Sequence, residues 1–385
     1  MLELDLTDPD VIRDPFTAYG RAREAGPVVR LAIPGMPMVA LTRHADARAL
    51  LTDPRFAVTA QSFIGIPGVP AEYHPYLRTM SEMDGADHLR LRRLAAPAFT
   101  ARRAQEFRPT AEPLVEKLLD DLPAEPDLLA DFAKPLPMQV ICELVGIPAQ
   151  DRADWVEWGG IVAAFDVARL GEAVPGIIEG AKAAVAARPE TGLLGELVHA
   201  KEDRLTDTEL VTLVWHLVLA GQTPVNLVAN AVAELWRRPA DLAALRADPA
   251  LLPGAVDELM RWCGPQLLTV PRYATEDVDL FGTTIEQGTP VVVSIAAVNR
   301  DPRAFPDPDT FDVRRAAGTQ LGFGHGPHFC LGAAHARVQT EVALAALLHR
   351  DLTLLGAPEE LRVPDPGTWR LRALPVRIGA GNAGT

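Results

Sequence analysis

A cysteine lies inside a short segment rich in glycine and histidine, GFGHGPHFCLG, which covers residues 322–332. The cysteine is Cys330, and a run with helical patterning, AAHARVQTEVALAALLHR, follows it. Unpaired N–H groups and the positive dipole at a helix N-terminus favour a thiolate over a thiol. Glycines at four positions of the segment let backbone or a flat ligand approach closely. This composition indicates a site that presents a reactive sulfur.

Several kinds of chemistry use such a sulfur. A nucleophilic thiol needs a base, and His325 and His328 are near in sequence. A zinc site needs further ligands at metal spacing, and the chain has no CxxC motif. A thiolate can also be the axial ligand of haem iron. The remaining alternative is a small residue packed in a turn, and the segment alone does not choose among these.

Composition limits the class of protein. The chain has 385 residues, of which 48% are hydrophobic, and a formal net charge of −14. Its length and composition suit a globular protein with a large core, and its charge argues against nucleic acid as a partner. Three cysteines argue against a disulfide framework, and the acidic N-terminus lacks the pattern of a signal peptide. We therefore expect a cytoplasmic protein.

One stretch, residues 211–233, contains no Asp, Glu, Lys or Arg and is long enough to span a bilayer. It also carries six polar side chains, and Gly221 and Pro224 lie in its middle. Two interpretations are a membrane span and a long helix buried in the core of a soluble protein. We expect the buried helix and no association with a membrane.

Helical patterns dominate the elements that must position Cys330. Strand-like runs are limited to PVVRLAI, PMVALT, VDLFG, PVVVSIAAV and LRALPVRIG, and residues 57–80 predict a long loop rich in proline and glycine. No repeat or linker divides the chain, and no GxGxxG motif indicates a fused reductase domain. The patterns predict a mainly α protein with a minor β part, organised as one domain over residues 1–385.

The segment FGHGPHFCLG resembles the haem-binding loop of the cytochrome P-450 family. The family fixes six positions of this loop, and all six match here, at Phe323, Gly324, Gly326, His328, Cys330 and Gly332. Three further motifs follow the family's order, and the length is that of a soluble bacterial member. The resemblance implies the single-domain cytochrome P-450 fold, with haem b between the long central helix and the cysteine-bearing loop and helix. It makes Cys330 the axial ligand of the iron.

The segment ELMR places Glu258 and Arg261 three residues apart, on one face of a helix. Alone, this spacing is typical of an ordinary surface ion pair. By the resemblance, the pair is buried and holds the core on the haem side together with a third partner, for which Arg314 and Arg315 are both candidates.

The segment HLRLR places His88 and Arg92 four residues apart on one helix face. The ordinary interpretation is a solvated basic face. By the resemblance, His88 and Arg92 bind the haem propionates through charge-assisted hydrogen bonds, and Arg272 and His328 join them.

The long helix departs from the family pattern Ala/Gly-Gly-x-Asp/Glu-Thr. In AGQTP, Ala220 and Gly221 match and Gln222 fills the variable position, whereas Thr223 replaces the acid and Pro224 replaces the alcohol. In the family, that acid and alcohol relay protons during oxygen activation. The resemblance therefore implies an atypical oxygen-activation groove at these five residues.

Proline in a helix interior removes one N–H and clashes with the carbonyl four residues back, which here belongs to Ala220. We therefore expect the helix to kink and open beside Gly221. Our hypothesis is that Pro224 keeps the groove but gives up the hydroxyl. Thr223, Gln222 or a polar group of the substrate would then hold a water molecule.

The resemblance implies an enzyme that activates dioxygen with electrons from a separate ferredoxin and ferredoxin reductase. Arg102, Arg103 and Arg337 are candidates for a basic surface that receives the ferredoxin. The leading prediction is monooxygenation, by hydroxylation or epoxidation, of a specialised metabolite. The altered proton relay favours a second option, oxidative coupling of aromatic groups, for example in a peptide, without oxygen insertion. A third option is a haem protein that binds a ligand without turnover.

The resemblance places the substrate in a pocket lined by four regions, although plain core packing is the alternative at each position. They are the loop at residues 57–80, the long helix at Trp215, Leu219 and Ala220, the segment Leu267, Leu268, Thr269 and Val270, and the turn at Thr368 and Trp369.

Overall fold

The computed structural model describes residues 1–33, 35–63, 65–190, 192–199 and 205–379. The helices are α1 (Pro9–Arg13), α2 (Pro15–Ala25), α3 (His44–Leu50), α4 (His74–Leu77), α5 (Gly85–Ala95), α6 (Ala101–Asp120), α7 (Pro135–Val145), α8 (Arg152–Ala164), α9 (Leu170–Ala186), α10 (Gly192–Val198), α11 (Asp207–Ala220), α12 (Pro224–Leu235), α13 (Pro239–Ala247), α14 (Leu252–Cys263), α15 (Ile295–Val298) and α16 (Ala333–Leu348). The strands are β1 (Leu2–Asp5), β2 (Val28–Ala32), β3 (Met38–Leu41), β4 (Phe56–Ala57), β5 (Arg272–Ala274), β6 (Val278–Leu280), β7 (Thr283–Ile285), β8 (Pro290–Val293), β9 (Leu352–Leu354) and β10 (Val376–Ile378). The predicted fold class, mainly α with a minor β part, is confirmed.

The chain forms two compact units. The first comprises Met1–Phe63, Ala229–Cys330 and Gly356–Arg372, and the second comprises Ile64–Val228, Leu331–Leu355 and Ala373–Thr385. Each unit is therefore built from three separate segments of sequence.

The first unit contains a six-stranded sheet in the order β1-β2-β3-β8-β5-β4. PVVRLAI and PMVALT, both predicted as strands, pair in an antiparallel arrangement with Val28 opposite Leu41. Alternate residues of these strands enter different apolar clusters. Val28 and Val39 pack on one face, whereas Val29 and Ala40 pack on the other. Both faces of the sheet are therefore covered, because successive side chains in a strand point to opposite sides.

The second unit is mainly helical. Helix α16 packs along α6, and α9 packs against α8 and α11. Strands β9 and β10 add a small antiparallel ladder in which Thr353 lies opposite Arg377. The helix predicted to follow Cys330 is α16, which begins three residues after the cysteine.

Two predicted elements differ in the structure. The run PVVVSIAAV is not one strand, because β8 ends at Val293 and Ser294 then caps α15 by accepting the Ala297 N–H at 3.2 Å. A serine side chain that satisfies a free helical N–H favours this change of conformation. In residues 57–80, the structure shows only short elements, including α4 and a 3₁₀ turn at Ala71–Tyr73, and Ile64 lies outside the described residues.

The apolar stretch falls on α11 and α12. By length and composition, Asp207–Leu235 could cross a membrane, and 56% of its most apolar window is buried inside the protein. A buried core helix passes the same test, and this is the interpretation that the sequence favoured.

Candidate functional site

The loop around Cys330 is held by its own backbone. The Cys330 N–H donates to the Phe323 carbonyl at 2.8 Å, and the Gly324 N–H donates to the Leu321 carbonyl at 2.9 Å. Phe323 is buried, and its ring centroid lies 6.5 Å from that of Phe329. The loop leaves the Cys330 side chain exposed.

Two glycines of the loop adopt a backbone conformation that other residues rarely accept. Gly324 has φ of +74° and Gly326 has φ of +72°. A Cβ at Gly326 would also lie 2.9 Å from the Leu51 carbonyl oxygen and 2.8 Å from Thr52 Cγ2. Glycine is required at position 326 because the conformation and the close approach both exclude a side chain.

Replacing Gly326 with alanine is therefore expected to destabilise the protein by about 1–3 kcal/mol, through strain and the clash with Leu51. The measurement is the midpoint of urea denaturation. The matched control is Gly318→Ala in a nearby loop, where no atom lies within 4 Å of the added Cβ. Equal midpoints for the two variants would contradict the assignment of this loop as sterically constrained.

The three cysteines differ in what they can bind. Cys142 and Cys263 are buried, and burial raises the pKa of both thiols, that of Cys142 to about 12. Both therefore stay protonated at pH 7, whereas a metal ligand must be a thiolate. Cys330 is the cysteine with an accessible sulfur, and glycine-rich backbone surrounds it. Of the three cysteines, Cys330 is therefore the one suited to bind a metal as a thiolate.

Glu258 and Arg261 form the buried pair that the spacing predicted. The Arg261 Nε and Nη2 atoms donate to the two Glu258 carboxylate oxygens at 2.6 and 2.8 Å. Both side chains are fully buried. The third partner is Arg315, whose Nε donates to Glu258 Oε1 at 3.2 Å. Arg314, the other candidate, is exposed.

Arg261 also supports the backbone of the irregular segment before Cys330. Its guanidinium donates to the carbonyls of Asn299, Pro308 and Thr310 at 2.9, 2.8 and 3.3 Å. The pair is therefore fully hydrogen-bonded, which is the condition under which a buried ion pair is tolerated.

The predicted propionate ligands lie in both units. Arg272 begins β5 in the first unit, is buried, and donates to the Phe56 carbonyl at 3.4 Å. His328, also in the first unit, is half-buried in the loop. His88 and Arg92 lie on α5 in the second unit, where His88 is buried and Arg92 is half-buried. The helix predicted for His88 and Arg92 is present as α5.

The long helix is interrupted at the family's oxygen-groove motif. Helix α11 ends at Ala220 and α12 begins at Pro224, with a turn between them. The N–H groups of Val225 and Asn226 reach carbonyls three residues back rather than four, at 3.1 and 3.2 Å. The long helix is therefore interrupted before the proline by a short, tightened turn, and the predicted opening of a groove there stays a prediction.

Thr223 and Gln222 were both candidates to hold a water molecule. The Thr223 hydroxyl donates to the Ala220 carbonyl at 3.1 Å, and the Thr223 N–H donates to the same oxygen at 3.3 Å. Thr223 thus satisfies the carbonyl that Pro224 cannot serve. Gln222 is buried, and a Cβ placed at Gly159 of α8 would lie 3.0 Å from its Nε2. The Thr223 hydroxyl is therefore engaged, whereas the Gln222 Nε2 has no hydrogen-bond partner among the described residues.

The predicted substrate contacts differ in accessibility. Trp215 and Leu267 are 0% and 1% exposed, so they have no free surface to offer a substrate. Trp215 is one of the buried residues of α11, and Leu267 belongs to a buried apolar cluster of the first unit. Leu219 and Val270 are 38% and 44% exposed.

The remaining predicted contacts lie on two segments of the first unit that run side by side. The Leu267 N–H donates to the Gly367 carbonyl at 3.0 Å, and the Trp369 N–H donates to the Pro265 carbonyl at 2.8 Å. Leu268, Thr269, Thr368 and Trp369 are half-buried on these segments. The structure thus joins two regions that are about 100 positions apart in sequence.

Sequence reasoning missed His216, which lies on α11 one turn before Ala220. Its Nε2 lies 2.8 Å from the Ser81 hydroxyl oxygen. The available signal was the spacing, because residues four apart share a helix face.

Comparison with known proteins decides the family. The cytochrome P450 family model matches residues 206–350. The cytochrome P450 monooxygenase PikC of Streptomyces venezuelae is 39% identical over 99% of this chain and 95% of its own length. The chain belongs to the cytochrome P450 family.

Two further relatives show the range of this family. The mycinamicin IV hydroxylase/epoxidase of Micromonospora griseorubida is 39% identical over 89% of each chain. The structure of the cytochrome P450 enzyme CxnD, described as acting in C–S bond formation in chuangxinmycin biosynthesis, superposes with a TM-score of 0.81. It is 33% identical, and the match covers 95% of this chain and 94% of CxnD. The predicted cytochrome P450 fold is confirmed.

This cytochrome P450 is therefore an enzyme of the monooxygenase/oxidase type with haem b as its cofactor. The residues present fit that group, because the accessible Cys330 sulfur and the constrained glycines of its loop are what a thiolate-ligated, flat cofactor needs.

Proposed function

We propose that this cytochrome P450 inserts one oxygen atom into a C–H bond or alkene of a specialised metabolite. The accessible Cys330 in its constrained loop, in a chain 39% identical to a hydroxylase/epoxidase, is the observation that carries this proposal. The net reaction consumes the substrate, dioxygen, two electrons and two protons, and it yields the oxygenated product and water. When bound, the haem would supply the activation of dioxygen, which a thiolate ligand promotes.

The chain's own residues hold the cofactor in this proposal. The Cys330 sulfur would bind the iron, and Phe323, Gly324 and Gly332 would belong to the loop that receives the haem. The cationic side chains of Arg92 and Arg272, with His88 and His328, would bind the propionates through charge-assisted hydrogen bonds. Glu258 and Arg261 stabilise the segment that leads into the loop.

The turn at residues 221–223 forms the oxygen groove in this proposal. Gly221 allows α11 to pack closely, because a Cβ there would lie 2.7 Å from Ile141 Cδ1. Pro224 has no N–H to donate to the Ala220 carbonyl, so it prevents a continuous helix at this turn. The Thr223 hydroxyl donates to that carbonyl instead of relaying a proton. The proton route then depends on water or on a polar group of the substrate.

Replacing Pro224 with threonine tests this arrangement. Threonine at position 224 restores both the backbone N–H and the hydroxyl that is usual in the family. Valine, which has nearly the shape of threonine, restores the N–H alone. If the hydroxyl relays protons, Pro224→Thr should form about two- to tenfold more product per electron consumed than Pro224→Val, in the range of general acid–base effects weakened by an imperfect position. The measurement is product formed per NADPH oxidised. Equal values for the two variants would show that position 224 is not part of the proton route.

Oxidative coupling is the second candidate. It is supported by the replacement of the acid and alcohol at Thr223 and Pro224 and by the likeness to CxnD, described as acting in C–S bond formation. Coupling removes two hydrogen atoms from the substrate and, with dioxygen, two electrons and two protons, yields two molecules of water. Product mass separates the candidates. A gain of one oxygen supports insertion, and a loss of two hydrogens supports coupling.

A ferredoxin and its reductase are the proposed electron donors, in the cytoplasm. Two of the predicted docking residues are less suited than the sequence indicated, because Arg103 pairs with Glu106 and Glu196, each at 2.8 Å, and Arg102 lies 3.6 Å from Glu106. These acids neutralise the positive charge. Arg337, the third candidate, lies on α16. Turnover that requires added ferredoxin supports this partner, and equal turnover without it contradicts it.

A further inference from the structure

Helix α11 is apolar, and six of its 14 residues are buried. The buried side chains are Leu210, Val211, Leu213, Val214, Trp215 and Val218. Thr212, His216, Leu217, Leu219 and Ala220 keep accessible surface. At 100° per residue, positions 212, 216, 219 and 220 fall within an arc of about 100° and form one uncovered stripe. The stripe ends at the turn that interrupts the helix, so its uncovered surface leads to the proposed oxygen groove.

His216 is the group on this stripe that can bind a polar ligand. Its Nε2 lies 2.8 Å from the Ser81 hydroxyl oxygen, and its Nδ1 has no hydrogen-bond partner among the residues that the structure describes. Burial, with a smaller contribution from the positive charge of Arg92, lowers the pKa of His216 to about 4. The ring is therefore neutral at pH 7. One nitrogen is fixed by Ser81 and the other is available.

A histidine that only completes the protein core would have both ring nitrogens satisfied and no accessible surface. His216 meets neither condition. Surrounding protein atoms desolvate the ring, which explains its lowered pKa, but part of the residue's surface stays accessible.

We propose that His216, oriented by Ser81, binds an oxygen substituent of the substrate and thereby selects an apolar metabolite that carries a hydroxyl or carbonyl group. This inference rests on the proposed function, because it places the substrate along the uncovered stripe of α11. A hydroxyl suits either tautomer of the ring. If Ser81 donates to Nε2, Nδ1–H donates to the substrate oxygen, and if Nε2–H donates to Ser81, Nδ1 accepts from the hydroxyl.

The position also limits where oxidation occurs. His216 and Ala220 are four residues apart, which corresponds to about 6 Å along the helix axis. The bound oxygen substituent therefore lies on the same side of the substrate as the oxidised carbon, several bonds away, and not at the opposite end of a large ring.

The test compares two probes that differ by one hydroxyl, cyclododecanol and cyclododecane, with binding to the holoenzyme measured by haem absorption difference titration. The wild type should bind the alcohol more tightly than the hydrocarbon. His216→Leu should reduce the ratio of the two dissociation constants by a factor of about three to ten, as expected for one hydrogen bond. His216→Gln, which keeps a hydrogen-bonding group, should retain part of the preference, and Ser81→Ala should lose part of it.

His349→Leu is the matched control, because it removes an exposed imidazole at the end of α16. It should leave the ratio unchanged. A wild type without preference for the alcohol, including one that binds neither probe, overturns the proposal, as does an unchanged preference in His216→Leu. The proposed function is tested separately by product mass from the wild type, so a failure of turnover is distinguishable from a failure of His216 to select the alcohol.

Discussion

Replacing Cys330 with serine is expected to reduce turnover to less than about 1% of the wild-type rate, because an alcohol does not supply the anionic sulfur that promotes oxygen activation. A serine hydroxyl stays protonated at pH 7, whereas a cysteine beside helical N–H groups and a metal ionises. The expected spectroscopic result is loss of the absorption that thiolate ligation gives to the reduced carbon-monoxide complex.

The other two cysteines provide the controls. Cys142→Ala and Cys263→Ala remove buried thiols whose pKa values are raised by burial, and both variants should keep the thiolate-type spectrum. Thermal stability of all three variants is measured in parallel, so that loss of the fold is distinguished from loss of the ligand. A Cys330→Ser protein that keeps both the spectrum and turnover would show that another group binds the iron.

Much of the fold follows from local patterns in the sequence. The helix after Cys330 was predicted from the helical patterning of AAHARVQTEVALAALLHR, and it is present as α16. The interruption of the long helix was predicted because proline lacks an N–H, and the consequence is confined to the adjacent turn. Such predictions succeed because cause and effect lie within a few residues.

Features that depend on distant residues were missed or left open. The choice of Arg315 over Arg314 depends on the path of the chain after Pro306, whose carbonyl Arg315 also contacts at 2.6 Å. The partnership of His216 with Ser81 joins residues 135 positions apart. The burial of Trp215 is another such case, because helical spacing alone does not state which face of α11 is covered. These outcomes are set by tertiary packing, which the sequence pattern of one element does not contain.

Glu258→Gln is expected to lower the free energy of unfolding by about 3–5 kcal/mol, the range for breaking a buried ion pair from one side. The amide keeps the shape of the carboxylate but removes the charge that faces Arg261 and Arg315. Two guanidinium groups then lose the anion that compensates them. The measurement is urea denaturation of the purified holoenzyme, and Arg314→Ala, an exposed neighbour, should change the free energy of unfolding by less than about 0.5 kcal/mol.

The double variant Glu258→Leu with Arg261→Met tests whether the pair contributes only charge compensation or whether Arg261 also stabilises the backbone carbonyls that it contacts. Buried ion pairs in other proteins are often replaced by apolar residues at no cost. Here the double variant should recover little of the lost stability, because Arg261 also serves the carbonyls of Asn299, Pro308 and Thr310. Each carbonyl left without a donor costs about 1–3 kcal/mol. Recovery to the wild-type midpoint would mean that the pair contributes charge compensation alone. Persistent destabilisation with reduced haem content would show that Arg261 holds the backbone that leads into the Cys330 loop.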